Sequence, residues 1–207
     1  MAQENATRQS RLGAESRLDS FISTHHMPTF LALLRGVNVG RANRISMPQF
    51  QALLSGLGYT GVVTLLNSGN AIFDAPDGAP EKHAANIATA LRTRMKVDVP
   101  VIVKSAGELA DIVKENPIAS ESNAHPRLLV AFVQNVEALN DLAAIAPLVR
   151  PPERFEVGTH AAYLFCAVGI RESKSAAALQ ACAGKTVTTR NFATILKLRA
   201  LTQACSD

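Results

Sequence analysis

Residues 31–50 read LALLRGVNVGRANRISMPQF, in which an apolar run leads into a loop that contains two glycines. The apolar run at residues 29–39 predicts a strand, which ends in the glycine-containing loop RGVNVG at residues 35–40. Ser46 and Gln49 then have the spacing of a capping box, with a proline between them, which predicts the start of a helix. The stretch therefore predicts a strand, a polar loop and a helix in succession.

The loop at residues 35–40 lacks the sequence of the known phosphate-binding loops. Gly36 and Gly40 enclose Val-Asn-Val, so the pattern is not G-x-G-x-x-G, and no Gly-Lys-Ser/Thr follows. Two interpretations stay open. Either the glycines supply positive φ angles at the end of a strand while Asn38 bonds the local backbone, or the loop borders a ligand site. Arg35 needs a partner in both cases, because it stands in an apolar strand.

The following segments alternate between strand and helix patterns. Apolar residues at Phe50, Leu53, Leu54 and Leu57 lie on one helical face. The first half then continues with strands at 62–66 and 71–73 around the turn NSGN (67–70), a helix through Ile87, Leu91 and Met95, a strand in VPVIVKS, and a short helix that stops at Asn116-Pro117.

The second half repeats this order of elements. It has a strand at 128–133, a helix at 136–146, hairpin strands at 154–157 and 162–168, a helix at 176–182, a short strand at 186–189 and a closing helix at 191–204. Two β-α-β-β-α-β units predict an α+β protein of two tandem ferredoxin-like α/β plaits, each an antiparallel sheet with two helices on one face. We expect residues 1–26 to be a flexible N-terminal extension, residues 27–120 the first plait and residues 121–207 the second.

Composition excludes several functional classes. With 47% hydrophobic and 18% charged residues in 207, the chain can build a core, and no apolar run approaches the ~18 residues of a membrane span. Three cysteines, an odd number, argue against a disulfide framework and for a reducing cytoplasm. We expect Cys166 to be a buried structural thiol rather than the partner of His160 in a catalytic dyad. The five histidines lack ligand spacing, so we predict neither a metal site nor a cofactor.

Charge is unevenly distributed along the chain, whose net charge is +4. Residues 27–73 contain three arginines and no acidic residue, and residues 173–206 contain five Lys or Arg and again no acidic residue. Cations without neighbouring carboxylates are typical of a surface that meets an anion.

The second acid-free segment contains the sequence Thr188-Thr189-Arg190-Asn191, directly before an apolar helix. Asn191 is a candidate N-cap, and a helix N-terminus favours a bound anion through its free N–H groups and its dipole. Simple capping beside an exposed arginine is the alternative. The candidate ligand-binding residues are Arg35, Asn38, Ser68, Asn70, Arg190 and Asn191.

Three functions remain open on the sequence alone. The leading hypothesis is the binding of a phosphate-bearing ligand, a nucleotide or a nucleic acid, at a basic site; aromatic residues make up only 5% of the chain, so base stacking is poorly supported. The second is a transferase or hydrolase acting on a small anionic substrate, and it lacks an obvious base. The third is a non-catalytic structural protein. No membrane partner is expected, and the oligomeric state is undetermined.

The motifs LLRGVNVG, MPQFQALLSGLGY, NSGNAIF, NPI and TTRNFATILKL occur in this order along the chain. In this combination the chain resembles the bacterial family catalogued as domain of unknown function 1697, over residues 27–201. The resemblance implies two α/β-plait subdomains and carries no established activity. The chain departs from the family pattern at Arg41, where a third glycine is common, and at Phe192-Ala193, where Trp-Asn is common.

Overall fold

The structure, a computed structural model, describes residues 27–40, 43–76, 78–118, 122–182 and 187–204. The predicted N-terminal extension and the predicted boundary at residues 120–121 lie outside these residues. The first half contains β1 (Thr29–Leu34), α1 (Met47–Ser55), β2 (Thr60–Leu65), β3 (Asn70–Asp74), α2 (Pro80–Ala90), β4 (Val101–Ser105) and α3 (Ala106–Glu115). The second contains β5 (Leu128–Val133), α4 (Leu139–Leu142), β6 (Arg154–Val157), β7 (Ala161–Phe165), α5 (Lys174–Cys182), β8 (Val187–Asn191) and α6 (Phe192–Ala204).

The strands form two antiparallel sheets with the same topology. The order is β2-β3-β1-β4 in the first sheet and β6-β7-β5-β8 in the second. Ala32 at the centre of β1 pairs with Ala71 of β3 and Val103 of β4. In the second sheet Ala131 occupies the equivalent position, between Ala162 and Thr189. The predicted α+β fold of two tandem ferredoxin-like plaits is confirmed.

The central strands are buried on both faces, because β1 (TFLALL) and β5 (LLVAFV) are almost entirely apolar. One face of the first sheet, including Phe30 and Leu34, packs against Phe50 of α1 and Ile87 of α2. The corresponding face of the second sheet packs against α4, α5 and the turns around them, with Leu179 fully buried. Each sheet thus has its own helical layer.

The opposite faces of the two sheets share a third helical layer, which the sequence prediction did not include. Leu31 of β1 and Val130 of β5 belong to one apolar cluster with Ile112 of α3 and Ile195 of α6. Because alternate residues of each central strand are apolar on this side too, both sheets need a second cover. The two helices α3 and α6 supply it, and they join the two plaits.

Two predicted details of the opening stretch are wrong. The strand ends at Leu34 rather than at residue 39, because Gly36, Asn38 and Gly40 have φ angles of 66°, 56° and 66°, which are incompatible with an extended chain. Ser46 is the N-cap of α1, but its side chain forms no capping hydrogen bond, so no capping box exists there. A complete capping box occurs instead at Ser105 and Glu108 of α3.

The predicted helix at residues 136–146 is largely not α-helical. Only Leu139–Leu142 has α-helical hydrogen bonding, and 3₁₀ turns at Val136–Ala138 and Ala143–Leu148 flank it. Pro147 accounts for the second turn, because proline lacks an N–H donor and disfavours helical geometry in the residue before it. The helix predicted through Met95 ends at Ala90 and continues as a π turn. None of the helices in the described ranges is long and apolar enough to cross a bilayer.

Candidate functional site

The loop that follows β1 is held by its backbone and by Asn38. The N–H of Arg35 donates to Pro100 O at 3.0 Å. The amide nitrogen of Asn38 donates to Ile45 O and Asn67 O, both at 2.8 Å, and its oxygen accepts from the Ile45 N–H at 2.9 Å. Asn38 therefore fastens the loop to itself and to the β2–β3 turn, which is the first of the two sequence interpretations.

The β2–β3 turn lies directly against the end of β1. Gly69 has a φ of 73°, and a Cβ at this position would come within 2.6 Å of the Leu34 Cβ and 2.7 Å of a Val37 methyl group. Only glycine allows this approach. The contact also lets the Leu34 N–H donate to Gly69 O at 2.8 Å. The turn therefore packs beside the loop that follows β1.

Arg190 of β8 connects the second plait to this region of the first. All five of its N–H groups are used. Nε donates to Asn70 Oδ1 at 2.5 Å, Nη1 to Thr188 Oγ1 at 3.0 Å and Thr189 O at 2.8 Å, and Nη2 to Leu34 O at 2.7 Å and Ser68 O at 2.9 Å. Because a guanidinium has five N–H donors, none remains for a ligand.

The acceptors around Arg190 are all neutral. Burial lowers the pKa of Arg190 to about 10, so the side chain still carries its charge at neutral pH. In the described part of the chain the salt bridges are Lys104–Glu108 and His160–Glu115, and neither involves Arg190 or Arg35. The positive charge of Arg190 is therefore solvated by hydrogen bonds, and no carboxylate of the described residues balances it.

Asn70 is fully buried and is oriented by Arg190. Since a guanidinium only donates, the atom facing it is the amide oxygen of Asn70. The amide nitrogen then donates to Leu65 O and to Ser68 Oγ, both at 2.9 Å. The Asn70 side chain thus stabilises the turn and holds one acceptor against the arginine.

Arg35 differs from Arg190 because its hydrogen bonding is incomplete. Nη2 donates to Gln180 O of α5 at 2.7 Å, which links β1 to the second plait. Nη1 is buried and has no hydrogen-bond partner among the residues that the structure describes. A buried guanidinium nitrogen without a partner is energetically costly, so this nitrogen is the unsatisfied polar group of the region.

Asn191 is the last residue of β8 and directly precedes α6, where the sequence predicts an N-cap. Its Oδ1 accepts from the Thr194 N–H at 2.9 Å, which is the geometry of an N-cap side chain. Asn191 thus acts as an N-cap, whereas Arg190 beside it is partly buried and not exposed as the capping alternative expected. Asn191 and Thr194 line the same cavity as the two arginines, so the N-terminal, positive end of the α6 dipole lies near them.

These elements surround a cavity of about 620 Å³ formed by both halves of the chain. Of the six predicted site residues, Arg35, Ser68, Arg190 and Asn191 line it, whereas Asn38 and Asn70 do not. The polar lining also includes Gln180, Thr188, Thr189 and Thr194. The sequence analysis did not predict Gln180, because this residue meets Arg35 through its backbone carbonyl, which has no signature in the sequence.

The chemistry available in the cavity is narrow. Among the described lining residues there is no Asp, Glu, His, Cys, Lys or Tyr, so the lining offers hydroxyls and amides but no general base. No group of three His, Cys, Asp or Glu side chains that could hold a metal ion occurs in the described residues. The described lining thus combines two cationic side chains with neutral polar groups.

A second polar cluster joins α3 to the β6–β7 turn, away from the cavity lining. Glu115 accepts hydrogen bonds from the backbone N–H groups of Thr159 (3.2 Å), His160 (2.9 Å) and Ala161 (3.2 Å). It also accepts one from the ring nitrogen Nδ1 of His160, at 2.9 Å. The Tyr163 hydroxyl lies 2.6 Å from Ile112 O and 3.0 Å from Glu115 Oε1, and burial raises the pKa of Tyr163. His160 is thus paired with Glu115 rather than with Cys166.

Comparison with known proteins bears on the fold and the family. The chain is similar to the conserved bacterial protein SP0830 from Streptococcus pneumoniae, with a TM-score of 0.71 and 20% identity, over 85% of this chain and 99% of that chain. At this identity the likeness shows the fold alone. The comparison with curated proteins gave no match. The family model described as "Protein of unknown function (DUF1697)" matches residues 27–163, about two thirds of the chain, and the chain belongs to this family.

Proposed function

We propose that the cavity binds a small phosphate-bearing ligand. The observation that supports this is the charge of the lining: two arginines, and no acidic residue among the described lining residues. Clustered cations repel one another and destabilise a fold, and a bound anion removes that repulsion. The volume of about 620 Å³ falls in the usual range for small-molecule sites.

Arg35 is the direct ligand in this proposal, and Arg190 acts through its charge. Arg35 lines the cavity, and its buried Nη1 has no hydrogen-bond partner among the described residues, so a phosphate oxygen that reached this nitrogen would satisfy it. Arg190 has no free donor, but its charge strengthens the positive potential of the cavity. The hydroxyl of Ser68 and the N-terminal end of α6 add neutral donors and a favourable dipole. A concave site of this size favours a small molecule over a nucleic acid chain.

Binding is favoured over catalysis because the described lining residues include no general base. A purely structural role is the second candidate, and the saturated hydrogen bonding of Arg190 favours it, since that side chain joins the two plaits whether or not a ligand binds. The free, buried thiol of Cys166 supports a reducing, cytoplasmic location.

The test is a thermal-shift comparison of phosphate with chloride at matched ionic strength. At ten times its dissociation constant a ligand stabilises the fold by about 1.4 kcal/mol, which is a rise of about 3–6 °C for a chain of this size. Arg35→Met should abolish the difference between the two salts. Arg44→Met is the matched control, because Arg44 is exposed in the same loop and does not line the cavity.

A general effect of excluded salts would persist in Arg35→Met, and that result would refute the proposed site. Arg190 is unsuitable for this experiment, because its removal breaks five hydrogen bonds and lowers stability regardless of any ligand.

A further inference from the structure

The cavity has a second chemical character beside its charge. The remaining side chains that line it are mainly aliphatic, among them Val37, Val39, Leu66 and Ile170. No Phe, Tyr, His or Trp side chain occurs in the described lining. The site therefore offers apolar surface without an aromatic ring on which a nucleobase could stack.

Some of this apolar surface is open to solvent. Val39 is 74% exposed and Leu66 is 53% exposed, and they belong to the two loops that border the cavity in the first plait. Ile170, in the loop before α5, is half-buried on the side of the second plait. Aliphatic side chains from both halves of the chain thus surround the opening, close to the arginines.

The backbone conformation of Leu66 is unfavourable for a leucine. Its φ is 58°, a left-handed conformation that suits glycine or asparagine and is unusual for a bulky apolar residue. The side chain is also largely exposed, so folding gains little from burying it. A large apolar residue in a strained conformation at the edge of a cavity is better explained by contact with a ligand than by the stability of the turn.

We propose that the ligand is an alkyl phosphate, with its phosphate at Arg35 and its aliphatic body against Val39, Leu66 and Ile170. This inference rests on the proposed function and specifies the part of the ligand that does not carry the charge. It favours a hydrocarbon body over a nucleoside, because the cavity presents aliphatic and not aromatic contacts.

The test is calorimetric titration of the whole chain with inorganic phosphate, methyl, butyl and hexyl phosphate, and adenosine monophosphate. Each methylene that the cavity covers should tighten binding about fourfold, so affinity should rise from methyl to butyl phosphate. Hexyl phosphate should bind more tightly than adenosine monophosphate.

Equal affinity along the alkyl series, or tighter binding of adenosine monophosphate, would overturn the inference and leave the proposed function standing if inorganic phosphate binds. Failure of every phosphate, inorganic phosphate included, would refute the proposed function itself. Binding to vesicles that contain phosphatidic acid, without binding to soluble hexyl phosphate, would also overturn the inference.

Leu66→Asn tests whether Leu66 contributes to ligand binding or to the stability of the turn. Asparagine tolerates the left-handed conformation, so the variant should have a higher melting temperature while its gain in affinity from methyl to butyl phosphate shrinks. Its affinity for inorganic phosphate should stay unchanged. Val63→Thr is the matched control, because Val63 is 39% exposed on β2 and does not line the cavity. An unchanged alkyl series in Leu66→Asn would exclude Leu66 from the site.

Discussion

Arg190→Met should destabilise the protein strongly, because one side chain holds five acceptors drawn from both plaits. Methionine preserves much of the volume and removes every donor. The acceptors Asn70 Oδ1 and Leu34 O belong to residues that are 0% and 1% exposed, so water cannot readily replace the guanidinium there. Ser68 O lies at the exposed turn and can be hydrated through the cavity.

The size of the effect follows from these two buried acceptors. An unsatisfied buried polar group costs about 1–3 kcal/mol, so the pair costs about 2–6 kcal/mol. Removing the guanidinium also removes the cost of burying it, which offsets part of the loss. We expect a net loss of about 3 kcal/mol in the free energy of unfolding. Arg190→Lys should fall between the wild type and Arg190→Met, since lysine keeps the charge but has three donors and no planar fork.

Urea unfolding followed by circular dichroism measures this loss. Arg199→Met is the control, because Arg199 is a partly buried arginine of α6 whose side chain forms no hydrogen bond within the described part of the chain. If Arg190→Met lost no more stability than Arg199→Met, the network around Arg190 would not stabilise the joint between the plaits. If Arg190→Lys matched the wild type, charge rather than the five-bond geometry would be the stabilising feature.

Three further predictions concern titration and packing. Burial pushes the pKa of Glu115 up, but hydrogen bonds from His160 and Tyr163 outweigh it and hold the pKa below 4.5. The stability that these bonds contribute is therefore complete above pH 4.5 and is lost as the pH falls below it. Glu115→Gln should flatten the dependence of the unfolding free energy on pH between about 5 and 3. An unchanged slope in this variant would contradict the prediction. Burial lowers the pKa of His83 below 6.5, so the neutral ring stabilises the fold above pH 6.5 and that stability declines as the pH falls. In His83→Phe the decline just below pH 6.5 should disappear. Burial raises the pKa of Cys166 to about 11. In a variant with Cys182→Ser and Cys205→Ser, its thiol should therefore react with Ellman's reagent only after urea unfolding. Cys166→Ala should lower the free energy of unfolding by about 1 kcal/mol or more.

The order of elements could be predicted from the sequence because it rests on local patterns. β5 was predicted with its observed bounds, since six apolar residues stand between a turn and a polar segment. The layer shared by α3 and α6 could not be predicted in the same way. Apolar residues on both sides of β1 indicate that both faces are buried, but they do not say which helices cover them. That choice depends on contacts between the two plaits.

The candidate site shows the same limit at the level of single residues. Arg35, Ser68, Arg190 and Asn191 line one cavity. Charge patterning predicted these residues as a ligand site, and that role stays a prediction. It could not distinguish Arg35 from Arg190, because the acceptors that saturate Arg190 include the backbone carbonyls of Leu34, Ser68 and Thr189, which have no signature in the sequence. Nor could it show that Asn38 and Asn70 serve the loops instead of lining the cavity.

The saturation of Arg190 by neutral groups separates two properties that arginine usually combines. Its hydrogen bonds hold the plaits together, so they cannot also recognise a ligand. Its charge has no carboxylate partner among the described residues, so it stays available to attract an anion at a distance, in surroundings less polar than water. Arg35 lines the same cavity, and its Nη1 has no hydrogen-bond partner among the described residues. On this reasoning, replacing Arg190 by lysine should preserve phosphate binding while weakening the fold, whereas replacing Arg35 by methionine should abolish phosphate binding with a smaller effect on stability. A loss of phosphate affinity in Arg190→Lys as large as that in Arg35→Met, measured well below the unfolding temperature, would show that the two arginines do not divide these roles.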